Sequence, residues 1–428
     1  MAEKLIQSRA LQVFQVVRYG ALLLSGVLLA RSPWAPESLS SYEQVLFFAS
    51  AITFFWVNGM VQTLLGHANE VNRHGKSRLF FQVFLVLQAT ALVAALIVWS
   101  YLRHGAGNLP QLGPWVALYI CIGVPAFLNE YMYLLLGKGW QMIAYGIASA
   151  LIQIIMVVIP AWMGMPFTYS LYGLLLAAVC RYTWLWVLLG RYAQFRYDYS
   201  FLPAFVKMSA PLGIAALVAG MGEYIDGWLV TEYMAKESFA VFRYGAREFP
   251  VALLLASALS QSMIANFAVK GEEETLQAIK LRSVRLMHIV FPSAILLMLT
   301  SHWLFPFVFG ERFGASADVF NVYLLITVSR LTFPQVVVIG RRKHKIIPKV
   351  ALIEIILNVG ISLMLMPTWG MAGIAWGTVI AYSAEKMILI LYNHYRLNIF
   401  FASYTAVGKL AIYTFVLLIS YFAGIYIG

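Results

Sequence analysis

Charged residues are scarce in this sequence. Only 11% of its 428 residues are Asp, Glu, Lys or Arg, whereas 61% are hydrophobic and the mean hydropathy is +0.79. A soluble globular domain has about 25% charged residues, so this composition excludes the soluble classes. It is typical of a polytopic membrane protein.

Residues that usually carry catalysis or metal binding are also few. The two cysteines, Cys121 and Cys180, both fall in apolar runs, where a buried apolar role is more common than a disulfide. The sequence contains neither a phosphate-cradling Gly-rich loop followed by Lys and Ser or Thr, nor a nucleophile elbow. We therefore expect a protein that is not an enzyme and that has no cofactor. The seven histidines lack the paired spacing of metal ligands: His67, His74, His104, His288, His302, His344 and His394.

Long apolar runs fill most of the chain. A helix that crosses a bilayer needs about 20 mostly apolar residues, because its backbone polar groups must be satisfied within the segment. The first run is predicted to be retained, since the N-terminus lacks the features of a removable signal peptide. Runs of this length predict thirteen spans with short loops: 11–30, 42–66, 79–101, 114–136, 141–163, 169–190, 208–230, 239–266, 286–309, 318–340, 350–366, 372–393 and 405–427.

Lys and Arg are distributed unevenly between alternate loops. If the N-terminus is inside, 19 of the 30 basic residues lie in cytoplasmic segments and four lie outside, namely Arg31, Arg103, Lys236 and Arg312. The positive-inside rule therefore predicts a cytoplasmic N-terminus. The net charge of +12 then reflects basic loops beside an anionic leaflet, and nucleic acid is not expected as a partner.

Two segments of the chain repeat one pattern. The segments 137–165 and 340–371 each begin with Gly and a basic residue, run apolar, and end on Pro-x-Trp near Gly-Met, at offsets of 203 and 207. A weaker similarity at an offset of 197 relates the residues after Tyr42 to those after Phe239. We predict an all-α membrane protein of two parallel six-helix repeats, because an even number of helices returns each half to the same side. The predicted lobes are 1–200 and 201–396, and 397–428 holds a thirteenth helix.

Two stretches of the second lobe resemble a known family. NVGISLMLMPTWGMAGIAWGT, from Asn358 to Thr378, and FPFVFGERFGASADVFNVYLL, from Phe305 to Leu325, are similar to the polysaccharide transporters of the multidrug, oligosaccharidyl-lipid and polysaccharide (MOP) superfamily, the Wzx-type flippases. The resemblance implies a two-lobed flippase of the bacterial inner membrane, working by alternating access in cell-surface polysaccharide biosynthesis. It implies a polyprenyl-diphosphate-linked oligosaccharide as substrate, within the lipid bilayer, and other polysaccharide-assembly membrane proteins as partners.

Seven basic residues lie within the predicted spans. An Arg at the centre of a span costs about 2.5–3.5 kcal/mol even on lenient insertion scales, so it usually faces water or a partner. The donors of an Arg side chain match phosphate oxygens. The arginines therefore predict a cationic cavity for a diphosphate. The seven are Arg18, Arg181, Arg243, Arg247, Arg330, Lys386 and Lys409.

The resemblance implies the same cavity role for Arg18 and for Arg243 or Arg247, which are four residues apart and so are expected on one helical face. The alternative is that each Arg pairs with an internal carboxylate, and Lys386 with its neighbour Glu385 is predicted as a local pair. The carboxylates available for such pairs are Glu223, Asp226, Glu248, Glu354 and Glu385.

Acidic residues also lie within the predicted spans. Glu223 and Asp226 lie three apart on one face of the seventh helix, and intramembrane acids are functional by default. The resemblance implies a sodium or proton site between helices 7, 11 and 12, with Asn358 and Thr378 as further ligands and Glu354 one turn before Asn358. Carboxylate, amide and hydroxyl oxygens suit hard cations. Coupling by Na+, by H+ or by the membrane potential alone remains open.

Other functions fit parts of the pattern. A cation-coupled multidrug antiporter of the same superfamily would often carry cations, which an Arg-lined cavity repels. A membrane partner of a polysaccharide-synthesis complex, without transport of its own, would have its buried charges paired internally. A membrane-embedded glycosyl- or acyltransferase would need a catalytic acid or His at a membrane face, and the sequence displays no such constellation.

Overall fold

A computed structural model describes residues 2–68, 73–104, 109–196, 199, 201–247, 249–269 and 271–427. In these ranges the chain is almost entirely helical and has no β-strand. It divides into two compact units, with the boundary between Gly220 and Met221. The predicted lobe limits at 200 and 396 remain predictions.

Within the described ranges, the first unit contains seven complete helices and the start of an eighth. Pro125 begins a short 3-10 turn, Pro125–Phe127, which divides one predicted span between α4 and α5. Helix α1 packs on α6, and α6 and α7 form an antiparallel hairpin. The helices are α1 (Ala2–Ala30), α2 (Pro36–Ala68), α3 (Arg73–His104), α4 (Gly113–Gly123), α5 (Leu128–Leu135), α6 (Gly139–Trp162), α7 (Phe167–Tyr192) and α8 (Phe201–Tyr233).

The second unit begins within α8 and contains nine further helices. One of them, α15, is interrupted at Gly370, whose φ of 56° and ψ of −134° are not helical. Its parts before and after Gly370, called α15a and α15b, form a hairpin. Helix α17 packs on α11. The helices are α9 (Ser238–Gly245), α10 (Pro250–Val269), α11 (Glu272–Phe309), α12 (Gly314–Leu324), α13 (Ile326–Arg330), α14 (Pro334–Gly340), α15 (Ile347–Leu397), α16 (Phe401–Tyr404) and α17 (Val407–Ile427).

The predicted multi-pass helical fold is confirmed, whereas the count of twelve helices plus one is not. Within the described ranges, ten helices are long and apolar enough to cross a membrane, or eleven if the bent series from Glu311 to Gly340 is one span. The predicted span 239–266 is broken between α9 and α10. Pro250 directly follows this break. A proline disfavours helical backbone in the residue before it, which explains why the helix does not continue through this point. The predicted spans 350–366 and 372–393 both fall in α15.

The two hairpins require glycine at corresponding positions. A Cβ on Gly173 of α7 would lie 2.6 Å from the carbonyl carbon of Met156, and a Cβ on Gly377 of α15b would lie 2.8 Å from the backbone nitrogen of Ser362. Small residues allow such close helix packing in lipid. Gly173 and Gly377 are 204 residues apart, which is within the offsets of the sequence repeat. The internal repeat therefore extends to the packing of its helices.

Replacing Gly377 is expected to destabilise the second unit. Gly377→Ala forces α15a and α15b apart, and overpacking of this kind costs about 1–3 kcal/mol. Gly360→Ala in α15a is the matched control, because a Cβ there meets no atom within 4 Å. The thermal unfolding midpoint of the purified protein in detergent should fall for Gly377→Ala alone. Equal midpoints for the two variants would contradict the close packing at Gly377.

Candidate coupling-ion and substrate sites

A buried carboxylate in the second unit accepts hydrogen bonds from three other helical segments. Asp226 of α8 is only 2% exposed. Its Oδ2 accepts a bond from Thr378 Oγ1 of α15b at 2.5 Å and another from the Tyr323 hydroxyl of α12. Its Oδ1 accepts a bond from Asn358 Nδ2 of α15a at 3.2 Å. Hydrogen bonds to an ionised group are stronger than neutral ones, so these three donors favour the negative charge.

Further polar contacts hold the side chains that donate to Asp226 in position. Asn358 Nδ2 lies 3.2 Å from Thr378 Oγ1, although the two residues are 20 positions apart. The hairpin at Gly370 brings them together. Ser362 Oγ, one turn after Asn358, lies 3.0 Å from Asn358 Oδ1 and 3.2 Å from the Ile374 carbonyl oxygen. Asn358 is therefore held from both sides.

These five residues, Asp226, Tyr323, Asn358, Ser362 and Thr378, form what we call the Asp226 network. It contains carboxylate, hydroxyl and amide oxygens, the donor set that hard cations prefer. A single carboxylate balances a single positive charge, so a monovalent cation or a proton matches the network. No group of three or more His, Cys, Asp or Glu side chains in the described ranges is placed to hold a metal ion.

The structure brings together three of the five predicted coupling-ion residues: Asp226, Asn358 and Thr378. Glu354 lies near Gly222 of α8: its Oε1 would be 4.0 Å from a Cβ atom placed on that glycine. The side chain of Glu223 lies outside the described residues. Ion binding by this set remains a prediction.

Sequence reasoning did not assign Tyr323 or Ser362 to the site. Tyr323 lies 97 positions from Asp226, and a tyrosine in an apolar helix is usually read as an interfacial anchor. Ser362 lies four positions after Asn358 in the chain. A serine hydroxyl at one helical turn from Asn358 is the signal that would have found it.

Arg18 of α1 pairs with Glu130 of α5 in the first unit. Arg18 Nη1 lies 3.3 Å from both Glu130 Oε1 and Oε2. The Arg18 side chain is 39% exposed, whereas that of Glu130 is 7% exposed. The Arg18 guanidinium also lies 5.8 Å from the Phe127 ring centroid. Arg18 therefore has the internal partner that the pairing alternative predicts, although this carboxylate was not among those proposed from the sequence.

Arg181 of α7 contacts α5 through its backbone carbonyl. Its Nε donates to the Ala177 carbonyl oxygen at 3.3 Å. Asn129 Nδ2, from the residue before Glu130, donates to the Arg181 carbonyl oxygen at 2.9 Å and to the Tyr145 hydroxyl at 3.0 Å. These contacts fix Arg181 beside α5.

The arginines of the second unit lie near helix ends. Helix α9 ends at Gly245, so Arg243 and Arg247 do not share a face of one continuous helix, and that prediction is wrong. The guanidinium carbon of Arg247 lies 5.5 Å from the Tyr244 ring centroid. Arg330, the last residue of α13, lies 5.1 Å from the Tyr382 ring centroid. Arg243, Arg247 and Arg330 each have further interactions, and their contact with a substrate remains a prediction.

Lys386 and Glu385 form the predicted local pair. Lys386 Nζ contacts Glu385 Oε2, and both side chains are buried. Lys386 Nζ also lies 4.3 Å from the Tyr382 ring centroid. The pair is confirmed, so this lysine carries its counter-ion on the adjacent residue.

Removing the Tyr323 hydroxyl is expected to destabilise the Asp226 network. Tyr323→Phe deletes one of three donors to a buried carboxylate, and hydrogen bonds to charged groups contribute about 1.5–3 kcal/mol. Tyr395→Phe is the control, because Tyr395 is 73% exposed. Chemical unfolding in detergent should give a smaller free energy of unfolding for Tyr323→Phe and an unchanged value for Tyr395→Phe. An unchanged value for both would mean that the Tyr323 hydroxyl does not support Asp226.

Comparisons with known proteins place the fold. No protein-family model and no curated protein matches the sequence. The lipid II flippase MurJ, in an inward closed conformation, aligns over 98% of this chain and 92% of its own, with 14% identity and a TM-score of 0.69. An inward-facing multidrug resistance MATE family transporter aligns over 92% of this chain and 98% of its own, with 11% identity and a TM-score of 0.59. A MOP superfamily transporter from Pyrococcus furiosus aligns over 92% of this chain and 95% of its own, with 14% identity and a TM-score of 0.55. The chain thus has the fold of these MOP superfamily transporters.

Proposed function

We propose that this protein is a flippase that moves a polyprenyl-diphosphate-linked oligosaccharide from the cytoplasmic to the outer leaflet of the bacterial inner membrane. Two observations support the proposal. The fold is shared with a protein named as a flippase of lipid II, and arginines lie in or beside the helices of both units. The oligosaccharide itself follows from the sequence resemblance. The N-terminus would lie in the cytoplasm, as the loop charges predict.

The main observation in favour of this proposal is the weak geometry of the ion pair between Arg18 and Glu130. Its two contacts with Glu130 come from a single nitrogen at 3.3 Å, whereas a strong charged pair has two parallel bonds of about 2.7–2.9 Å. More than a third of the side chain is accessible. The remaining guanidinium donors match phosphate oxygens, so Arg18 is suited to hold a diphosphate.

The Asp226 network would couple this movement to a cation. A monovalent cation or a proton at Asp226 would neutralise the carboxylate and change which hydroxyls donate to it. Because the network joins α8, α12 and both arms of α15, such a change would alter the packing of the whole group. An ion that binds one packing better than the other shifts the population toward it.

A second candidate function is a cation-coupled multidrug antiporter. The observation that favours it is the fold shared with a multidrug resistance transporter, together with a buried carboxylate that suits a cation. The two functions differ in the charge of the substrate. A flippase binds an anionic headgroup, whereas an antiporter of this kind binds apolar cations.

Substituting Arg18 is expected to weaken binding of a polyprenyl diphosphate. Arg18→Gln removes a charged phosphate contact, and hydrogen bonds to charged groups contribute about 1.5–3 kcal/mol, which is at least tenfold in affinity. Titration of the purified protein with a synthetic polyprenyl diphosphate measures the dissociation constant. Tetraphenylphosphonium serves as the cationic probe.

Arg103→Gln is the matched control, since Arg103 is an exposed arginine of the same unit that lies 5.6 Å from the Trp99 ring centroid. Its affinity should equal that of the wild type. Binding of tetraphenylphosphonium without binding of the diphosphate would favour the antiporter. Equal diphosphate affinities for wild type and Arg18→Gln would mean that Arg18 does not contact the diphosphate.

Neutralising Asp226 is expected to abolish stabilisation by the coupling ion. A ligand that binds only the folded state raises stability as its concentration exceeds its dissociation constant. Sodium chloride should therefore raise the unfolding midpoint of the wild type above that in choline chloride at equal ionic strength, and this difference should vanish in Asp226→Asn. Glu273→Gln, at an exposed carboxylate, should retain it. A wild type that responds to pH but not to sodium would indicate a proton instead.

A further inference from the structure

Basic residues are concentrated at the turn between α14 and α15. The segment 341–345 reads RRKHK and is exposed throughout. Arg341 forms an ion pair with Glu272 at the start of α11, with 2.6 Å between Nη2 and Oε1. We call the remaining exposed Lys and Arg side chains of this region the basic turn: Arg342, Lys343, Lys345 and Lys349. Within the described ranges no ion pair neutralises these four side chains.

Arg342 occupies a backbone position that favours glycine. Its N–H donates to the Ile339 carbonyl oxygen at 2.8 Å, and the N–H of Lys343 donates to the Val338 carbonyl oxygen at 3.0 Å. These are the two bonds of a Schellman motif, in which the residue after the C-cap is left-handed and is usually Gly. Arg342 has a φ of 57°, which is unfavourable for a residue with a Cβ. An exposed charge held at such a cost indicates a role for the charge.

The basic turn lies between two membrane-spanning segments. The bent apolar series from Glu311 to Gly340 ends directly before it, and the span His344–Leu397 begins within it. A buried cluster of Val338, Val350 and Leu389, against which the turn packs, fixes it to the ends of these spans. The four basic side chains therefore lie where the lipid headgroups are.

An exposed apolar strip continues from the basic turn along α15a. Leu352 and Ile353 follow Lys349 by three and four residues, and Ile356 comes one turn later, so the four share one helical face. Leu352 is 56% exposed and Ile356 is 63% exposed. A cationic end joined to an apolar strip matches the polarity of a phospholipid, whereas an acidic protein segment or a free phosphate would use the charged end alone.

We propose that the basic turn binds the phosphate of an anionic phospholipid, whose acyl chains lie along Leu352, Ile353 and Ile356. The guanidinium of Arg342 matches phosphate oxygens, and the lysines add positive charge beside an anionic leaflet. Arg342 and Lys343 follow the end of α14, whereas Lys349 belongs to α15. A headgroup bound by all of them joins the two helix ends. This site is independent of the transported substrate.

The test measures thermal unfolding of the purified full-length protein in a neutral detergent with added lipid. Dioleoyl phosphatidylglycerol should raise the unfolding midpoint by about 2 °C or more above the value in an equal amount of dioleoyl phosphatidylcholine, because a ligand of the folded state stabilises it. The variant Arg342→Gln/Lys343→Gln/Lys345→Gln should lose this difference. An unchanged difference in this variant, or none in the wild type, would overturn the proposal.

The matched control is Arg191→Gln/Arg196→Gln/Lys207→Gln. It removes three exposed basic side chains of the first unit and should retain the full response to phosphatidylglycerol. Equal losses in the control and in the basic-turn variant would mean that net charge alone explains the response, which would also overturn the proposal.

Arg342→Gly separates lipid binding from a structural role of the turn. Glycine fits the left-handed conformation, so in phosphatidylcholine this variant should unfold at the wild-type midpoint or above it. Its response to phosphatidylglycerol should nevertheless be smaller than that of the wild type. A lower midpoint in phosphatidylcholine together with an undiminished response would assign Arg342 to the structure of the turn and contradict the site.

Other anions with the same chemistry are told apart by further titrations. Glycerol 1-phosphate and a polyglutamate peptide lack acyl chains and should not raise the midpoint; a rise as large as that with phosphatidylglycerol would indicate a free phosphate or an acidic partner instead. Arg18→Gln should keep the response to phosphatidylglycerol, and the basic-turn variant should keep its affinity for polyprenyl diphosphate. Loss of that affinity would make the turn a capture site for the transported lipid and overturn the assignment to a bilayer phospholipid.

Discussion

A charge buried in a membrane-spanning helix has no bulk water around it, so the protein must compensate it from within. The two units of this chain meet that constraint differently. Glu130 is neutralised by a guanidinium, whereas the hydrogen bonds that the structure describes to Asp226 come from a tyrosine, a threonine and an asparagine. The first carboxylate already has its cation. The second is bonded to neutral donors in the described part of the chain, which makes it the better candidate for an exchangeable cation.

The hydrogen bonds to Asp226 depend on close helix packing that only glycine allows. Neutral donors must approach a carboxylate within hydrogen-bond distance from several helices at once. Asn358 and Thr378 meet because α15a and α15b are close at Gly377, where a Cβ would overlap the Ser362 backbone. The first unit has the same close approach at Gly173, but there the hairpin supports a different set of side chains. The backbone geometry is shared, and the chemistry comes from the residues placed on it.

The sequence predicted some of these features and missed others for identifiable reasons. Composition and run length predict a multi-pass helical protein because the bilayer imposes a length and a polarity on every span. Run length does not reveal a break inside an apolar segment, so the ends of α9 and α10 were missed and the count of spans was not confirmed. The local pair Lys386 and Glu385 was predictable because the partners are adjacent. Arg18 and Glu130 are 112 positions apart, and a single sequence contains no signal that joins them.

The second arms of the two hairpins differ in how their basic residues are compensated. Gly173 and Gly377 set an offset of 204 between α7 and α15b, so Arg181 aligns with Glu385, the residue before Lys386. Lys386 follows Glu385, and the two neutralise each other. The residue before Arg181 is Cys180, which carries no such charge. The hydrogen bonds described for Arg181 involve neutral groups instead, the Ala177 carbonyl oxygen and the Asn129 amide. In the second unit the Lys386 charge is compensated on the adjacent residue, and the hydrogen bonds described to Asp226 come from neutral donors. The same hairpin geometry therefore holds different charges in the two units.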